Sequence, residues 1–194
     1  MRVTILDYGA GNLHSLEKAL TAAGAAVAIE RDPRRALATD VLVLPGVGAF
    51  STAAKHFATD RDCLREAITD GLPTLGICLG MQLLFDSSDE GPGRGLGVIR
   101  GTVVKIRATR VPHIGWNSVR PVKTASLIET AYFANSYVCR PADESVVTAW
   151  SSQDDDEFPA AVRVGRTLGV QYHPEKSSRP GLRVIEQFLA EVAA

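Results

Sequence analysis

An α/β fold built on a mostly parallel sheet is what this chain predicts, and three observations carry the prediction. Short apolar runs alternate with segments of helical period through the first half of the sequence. Each run is a continuous block, the pattern of a strand buried on both faces. From Leu96 to Val170 the helical period disappears and short strand-like runs take over. Together these imply a parallel sheet covered on both sides by helices and extended by antiparallel strands.

The elements follow in order. Val3-Thr4-Ile5-Leu6 reads as the first strand. A helix from about Leu13 to Ala23 comes next, with Asn12 as a plausible N-cap and Gly24 as its stop. Val27-Ala28-Ile29-Glu30 and Val41-Leu42-Val43-Leu44 read as buried strands. A helical stretch from about Ala49 to Thr69 breaks near Asp60, and a further strand begins at Thr74. Beyond it, Val98 to Ile106, Tyr132 to Val138, Val146 to Trp150 and Ala160 to Val164 are strand-like and are expected to extend the sheet. A helix from about Pro180 to Val192 closes the fold. With no internal repeat and no linker, residues 1–194 are expected to form one domain. Ligands in such sheets bind beyond the carboxyl ends of the strands, and Asp7, Pro45 and Cys78 all fall at that edge.

Bulk properties exclude several classes. Hydrophobic residues make up 45% and charged residues 22%, with a net charge of −1, which gives no electrostatic case for nucleic acid or an anionic membrane. Strand-like residues start at Arg2, leaving no room for a signal peptide, and no apolar stretch approaches the ~18 residues of a membrane span. Three widely spaced cysteines argue against a disulfide framework and against zinc, so the cytoplasm is the expected compartment. Cys63 and Cys139 read as packing residues. The glycine-rich stretch Gly91–Gly97 lacks a phosphate-binding spacing and reads as a loop, and Asp154–Glu157 reads as a solvated hairpin tip rather than a metal site.

The chemistry concentrates in two segments. In Leu75-Gly76-Ile77-Cys78-Leu79-Gly80-Met81-Gln82, an apolar strand meets an apolar helix at a turn carrying a cysteine, with glycines two residues to either side. That is the spacing of a nucleophile elbow, in which the tightly folded backbone needs missing side chains on both flanks. A cysteine at the start of a helix also feels the positive end of the helix dipole, which favours the thiolate. Near the other end, Gln171-Tyr172-His173-Pro174-Glu175 follows an apolar run. A thiol nucleophile needs a base, and the base needs a carboxylate to fix its tautomer. His173 and Glu175, two residues apart, would project to one side of an extended chain, with Pro174 keeping them out of a helix interior. Cys78, His173 and Glu175 therefore form a candidate triad.

These two segments resemble the signatures of the triad-type, class I glutamine amidotransferases. Asp7-Tyr8-Gly9-Ala10-Gly11-Asn12, Pro45-Gly46-Val47-Gly48-Ala49-Phe50 and Pro112-His113-Ile114-Gly115-Trp116-Asn117 narrow the resemblance. With them the whole chain is similar to the glutaminase subunits of imidazole glycerol phosphate synthase, in histidine biosynthesis. The resemblance implies a flavodoxin-like class I glutamine amidotransferase fold, and hydrolysis of glutamine to glutamate and ammonia with no cofactor. Cys78 would attack the amide carbon, His173 would shuttle the proton, and Glu175 would orient His173. The oxyanion would be met by the backbone N–H of Leu79 and one from the Gly46-Val47-Gly48 loop, which a peptide flip could present or withdraw. Gln82, one helical turn after Cys78, would face either the substrate's amino-acid end or the edge of the core. The implied partner is a (β/α)₈-barrel cyclase subunit, in a heterodimer. It would use the ammonia and a phosphoribosyl-formimino aminoimidazole carboxamide ribonucleotide to make imidazole glycerol phosphate and aminoimidazole carboxamide ribonucleotide. Tyr8, Asn12, Trp116, Asn117 and Lys176 match family positions near that interface, against the alternatives that Trp116 anchors the core and Lys176 is a solvated charge. One position departs from the family: Asn135 stands where a histidine is usual. Two rival readings share these motifs, a glutaminase subunit of another synthase and a catalytically silent interaction subunit.

Overall fold

The computed structural model describes residues 1–9, 13–122 and 128–194. The first half alternates strand and helix: β1 (Arg2–Leu6), α1 (His14–Ala22), β2 (Ala26–Glu30), α2 (Pro33–Ala36), β3 (Val41–Leu44), α3 (Phe50–His56), α4 (Arg61–Thr69), β4 (Thr74–Ile77) and α5 (Leu79–Leu83). The strand-rich part follows with β5 (Ser87–Ser88), β6 (Gly101–Lys105), β7 (His113–Ser118), β8 (Arg120–Pro121), β9 (Thr130–Asn135), β10 (Tyr137–Pro141), β11 (Val147–Gln153), β12 (Asp156–Val164) and β13 (Thr167–Val170), and α6 (Ser178–Ala193) ends the chain.

Strands β2, β1, β3, β4 and β13 lie side by side and parallel, and β12, β11 and β8 continue the same sheet antiparallel. Side chains that alternate along each central strand feed two cores. Val3, Ile5, Val41, Val43, Leu75 and Ile77 pack with Leu16 and Leu20 of α1 and Ile185, Phe188 and Leu189 of α6. Leu6, Leu42 and Leu44 point the other way, to Phe50, Ala53, Leu64, Ile68 and Met81 of the α3–α5 layer. Burying each such side chain contributes roughly 1.5–3 kcal/mol, which fixes the register because a one-residue slip would exchange the two faces.

Several expectations need correction. β2 is an edge strand with Ile29 exposed, because among the described residues only β1 pairs with it. The strands around Val98–Ile106 and Tyr132–Val138 do not extend the main sheet. β6 pairs with β10 and β5 in a three-stranded sheet, and β7 pairs with β9 in a two-stranded one. The run from Tyr132 to Val138 changes partner at Ser136, whose carbonyl accepts the Ile106 N–H. Before the break, Ala131, Phe133 and Asn135 turn inward; after it, Val138 and Cys139 are both buried. Helix α2 was not anticipated, although Asp32 accepts from the Arg34 and Arg35 amides and Pro33 opens the turn, a local signal written in Asp-Pro. Leu13 occupies the N-cap position of α1 without a side-chain cap, and Asn12 lies outside the described residues. Gly24 does close α1, at φ +88°.

Candidate active site

The carboxyl ends of β3, β4 and β13 converge. Leu44 leads into Pro45, Ile77 into Cys78, and Val170 into Gln171 and His173. At the turn Cys78 adopts φ 48° and ψ −103°, a strained conformation for a residue with a side chain. Its N–H donates to the Val170 carbonyl at 2.7 Å, and its carbonyl accepts the Gln82 N–H at 3.1 Å. The flanking glycines are demanded by contact. A Cβ on Gly76 would sit 2.7 Å from the Gly80 carbonyl oxygen, and one on Gly80 would sit 1.9 Å from that of Leu44. Helix α5 has only five residues, so the groups bonded to Cys78 matter more than a long helix dipole.

His173 is buried beside the sulfur. Its Nδ1 lies 2.7 Å from Glu175 Oε1, and its ring also hydrogen-bonds Cys78. The chain here is not extended as the spacing suggested: Pro174–Lys176 form one 3₁₀ turn, which folds Glu175 back under the imidazole. The His173 N–H donates to the Tyr132 carbonyl at 2.8 Å, tying the turn to β9. Burial pulls the imidazole down. The hydrogen bonds to Cys78 and Glu175, and the charges of both, outweigh burial and lift it to about 10. His173 therefore carries its proton at neutral pH. Glu175 Oε2 is buried with no hydrogen-bond partner among the described residues.

Around Cys78 a cleft of about 280 Å³ is lined by Gly46, Val47, Gly48, Leu79, Gln82, Glu90, Asn135, Tyr137, His173 and Lys176, among others. Those dimensions suit a small amino acid. A larger cavity of about 490 Å³ lies between α6 and the β11 end of the sheet, lined by groups such as Val147, Ala149 and Phe188. Among the described residues its lining carries hydroxyls but no cysteine and no histidine to act as a base, whereas the smaller cleft holds both, so the smaller cleft is the chemical site. Gly46 is pressed between Ile77 and the His173 ring, where a Cβ would meet the Ile77 carbonyl oxygen at 2.9 Å, and Gly48 sits at φ +116°. Leu79, as the first residue of α5, has an amide with no intrahelical acceptor. Gln82 is buried, and both its side-chain N–H groups are engaged, with the Tyr137 carbonyl at 3.0 Å and Gln171 Oε1 at 3.3 Å, leaving its oxygen to face a ligand.

The residues matched to an interface separate. Trp116 is 53% exposed, so it does not anchor the core. It crosses Tyr132 edge-on, on the outer face of β7 and β9 that also carries Ile114, 63% exposed. Lys176 is exposed on the rim of the cleft. Tyr8 is buried, and its hydroxyl donates to the Pro45 carbonyl at the root of the glycine loop, so it offers no surface to a partner. Burial, with the charges of Cys78 and Asp7 adding, keeps that hydroxyl protonated. Asn117 is half-buried and its amide is engaged within the chain: its Nδ2 donates to the Ser152 carbonyl at 2.7 Å and its oxygen accepts the Ser118 N–H at 2.7 Å. The alternation along β7, which turns Ile114 and Trp116 out and Asn117 partly in, is the reason.

Residues given no role by the sequence also enter the site. Glu90 lines the cleft and holds the Phe50 N–H at 2.9 Å, and Gln171 donates to Cys78 Sγ at 3.5 Å. Asn135 donates to the Tyr137 carbonyl at 3.1 Å, while its Oδ1 is buried without a hydrogen-bond partner among the described residues. Glu90 had no motif to mark it. Gln171 stood in a motif but next to the more conspicuous His173. Cys139 is buried in β10, where burial pushes its thiol up and keeps it neutral, and Cys63 is half-buried in α4. Among the described residues no group of His, Cys, Asp and Glu is placed to hold a metal ion, and no helix is long and apolar enough to cross a membrane.

An elbow cysteine, a histidine–glutamate pair and a small polar cleft at the edge of a parallel sheet agree with known proteins. The sequence profile described as glutamine amidotransferase class-I matches residues 4–192, and the chain belongs to that family. A solved glutamine amidotransferase superposes with a TM-score of 0.79 at 23% identity, covering 99% of each chain, which shows the shared fold. Within the family, imidazole glycerol phosphate synthase subunit HisH of Pyrococcus furiosus is 42% identical over 194 residues, covering 96% of this chain and 97% of its own. The subunit HisH of Aquifex aeolicus is 42% identical over 199 residues, covering 97% and 96%. This chain therefore belongs to the HisH subunits of imidazole glycerol phosphate synthase.

Proposed function

We propose that the chain, as one domain, hydrolyses glutamine and passes the ammonia to the cyclase subunit of imidazole glycerol phosphate synthase, in histidine biosynthesis. The observation that carries this is the contiguous set Cys78–His173–Glu175 at the carboxyl edge of the sheet, beside a cleft sized for an amino acid. Cys78 Sγ attacks the carboxamide carbon of glutamine. The oxyanion lodges against the Leu79 amide and an amide of the Gly46–Gly48 loop, each such donor being worth ~10²–10³ in rate. His173 gives its proton to the departing nitrogen, and ammonia leaves a glutamyl thioester. His173 then takes a proton from water, whose hydroxide opens the thioester to glutamate and returns Cys78. Glu175 holds Nδ1–H throughout, so the other ring nitrogen faces the sulfur.

Substrate selection follows from charge. Glu90 presents a carboxylate to the cleft, suited to the α-ammonium of glutamine, and Lys176 on the rim suits the α-carboxylate. Gln82, with only its oxygen free, supports the α-ammonium end. The partner is a (β/α)₈-barrel cyclase in a heterodimer in the cytoplasm. It docks on Ile114, Trp116, Tyr132 and Lys176, an exposed apolar face adjoining the cleft. Ammonia released there enters the partner rather than water, where protonation would make it non-nucleophilic. The experiment is glutamate release by the purified chain alone, then with the cyclase subunit and its nucleotide ligand. Strong activation in the complex is expected. Equal turnover with and without the cyclase would defeat the coupling.

A further inference from the structure

Two buried carboxamides form a one-way hydrogen-bond chain that ends on the sulfur of Cys78. It begins at the Tyr137 backbone carbonyl, which can only accept. Gln82 Nε2 donates to it at 3.0 Å and Asn135 Nδ2 at 3.1 Å, so both lone pairs are engaged. Gln82 must therefore present its nitrogen, which also donates to Gln171 Oε1 at 3.3 Å. With its oxygen held, Gln171 turns Nε2 to Cys78 Sγ at 3.5 Å. Flipping either amide would set acceptor against acceptor or donor against donor, so the polarity is imposed from the backbone.

Gln171 is fully buried, and it is placed as rigidly as the elbow. Its N–H donates to the Ala160 carbonyl at 2.9 Å, one residue beyond the Val170 carbonyl that holds the Cys78 N–H. A fixed N–H donor favours a thiolate over a thiol, since hydrogen bonds to a charged acceptor are roughly twice as strong as neutral ones. We propose that Gln171 completes the catalytic machinery by orienting Cys78 Sγ and favouring its charged form, with Gln82 as the positioning residue that aims Gln171. The proposal rests on Cys78 being the nucleophile. The titratable groups facing the sulfur are His173, with Glu175 behind it, and the buried Tyr8 and Cys139; Glu90 and Lys176 line the cleft mouth. Gln171 approaches Sγ as an uncharged donor and so acts at every pH.

The test is the pH dependence of Cys78 alkylation by iodoacetamide, read on the Cys78 peptide by mass spectrometry so that Cys63 and Cys139 do not contribute. Wild type, Gln171→Leu, Gln171→Glu, Gln82→Leu and the Gln82→Leu/Gln171→Leu double variant are compared. Gln171→Leu is expected to move the midpoint upward by about one pH unit, about tenfold slower alkylation below it. Its kcat for glutamine should fall while KM holds. Gln171→Glu should move the midpoint further, Gln82→Leu should move it less, and the double variant should match Gln171→Leu because Gln82 acts through Gln171. An unchanged midpoint in Gln171→Leu and Gln171→Glu, or additive effects in the double variant, would overturn the proposal. Should Gln171→Leu fail to fold, an unshifted midpoint in Gln82→Leu would overturn it equally. Retained glutaminase activity in Cys78→Ser would defeat the nucleophile assignment itself.

Discussion

Two glycine-bearing turns line the same cleft and are held in opposite ways. At the elbow, Gly76 and Gly80 are fixed by backbone contact, and Cys78 is pinned in a strained conformation by the bonds its own backbone makes to Val170 and Gln82. In the Pro45–Gly48 loop, Gly46 is packed against Ile77 and His173, but Gly48 is there for its positive φ. The loop ends are tied by side chains, Tyr8 on the Pro45 carbonyl and Glu90 on the Phe50 amide. The nucleophile is thus built into the sheet, whereas the loop proposed to carry the second oxyanion donor hangs between side-chain bonds. A partner that acts on this site has the loop, not the elbow, to act on.

The severest way to break that contrast is Gly80→Ala. The new Cβ, 1.9 Å from a backbone oxygen, cannot be relieved by a side-chain rotation, so the elbow must shift. A loss of about 3 kcal/mol in urea unfolding is expected, with glutaminase activity at background. Next, Glu175→Gln should lower kcat by ~10³–10⁴-fold with little change in folding, because His173 loses the partner that fixes its tautomer. Gly48→Ala should cost only about 1 kcal/mol of stability and ~10–10² in kcat, and should leave Cys78 alkylation unchanged. If alkylation falls with it, elbow and loop are not independent.

Trp116→Ala sharpens the contrast from outside. An exposed aromatic on β7 should weaken cyclase binding about tenfold or more, seen by titration calorimetry, with the chain's own unfolding midpoint unmoved. A separate effect is electrostatic. His173 is raised in the fold to about 10, above its unfolded value of ~6.5, so its stabilisation is fully present below ~6.5 and is lost as pH rises through about 10. Urea midpoints should fall across that window. In Glu175→Gln, which removes one of the groups that raise the imidazole, the fall should be smaller and end at lower pH.

Much of this is legible in the sequence. The apolar runs at Val41–Leu44 and Thr74–Ile77 read as strands of a parallel sheet, and the glycine spacing about Cys78 implies the elbow. What stayed hidden depended on partners distant in sequence. Gln171 and Gln82 meet 89 positions apart, and Tyr8 reaches Pro45 over 37, so neither pairing leaves a local period. Ser136 separates two strands that belong to different sheets, although the residues on either side read as one run. Tyr8 and Asn117 sit in segments that resemble interface motifs, yet a buried hydroxyl bond turns Tyr8 inward and strand alternation leaves Asn117 half-buried.

The claim on which the rest depends is that Cys78 forms a covalent bond with glutamine. Rapid acid quench of the complex during turnover, followed by mass spectrometry of the Cys78 peptide, tests it most directly. A glutamyl adduct on Cys78 that is absent from Cys78→Ser, and that accumulates when water attack is slowed, is the predicted result. Undiminished glutamate release in Cys78→Ser, or an adduct on another residue, would contradict the account.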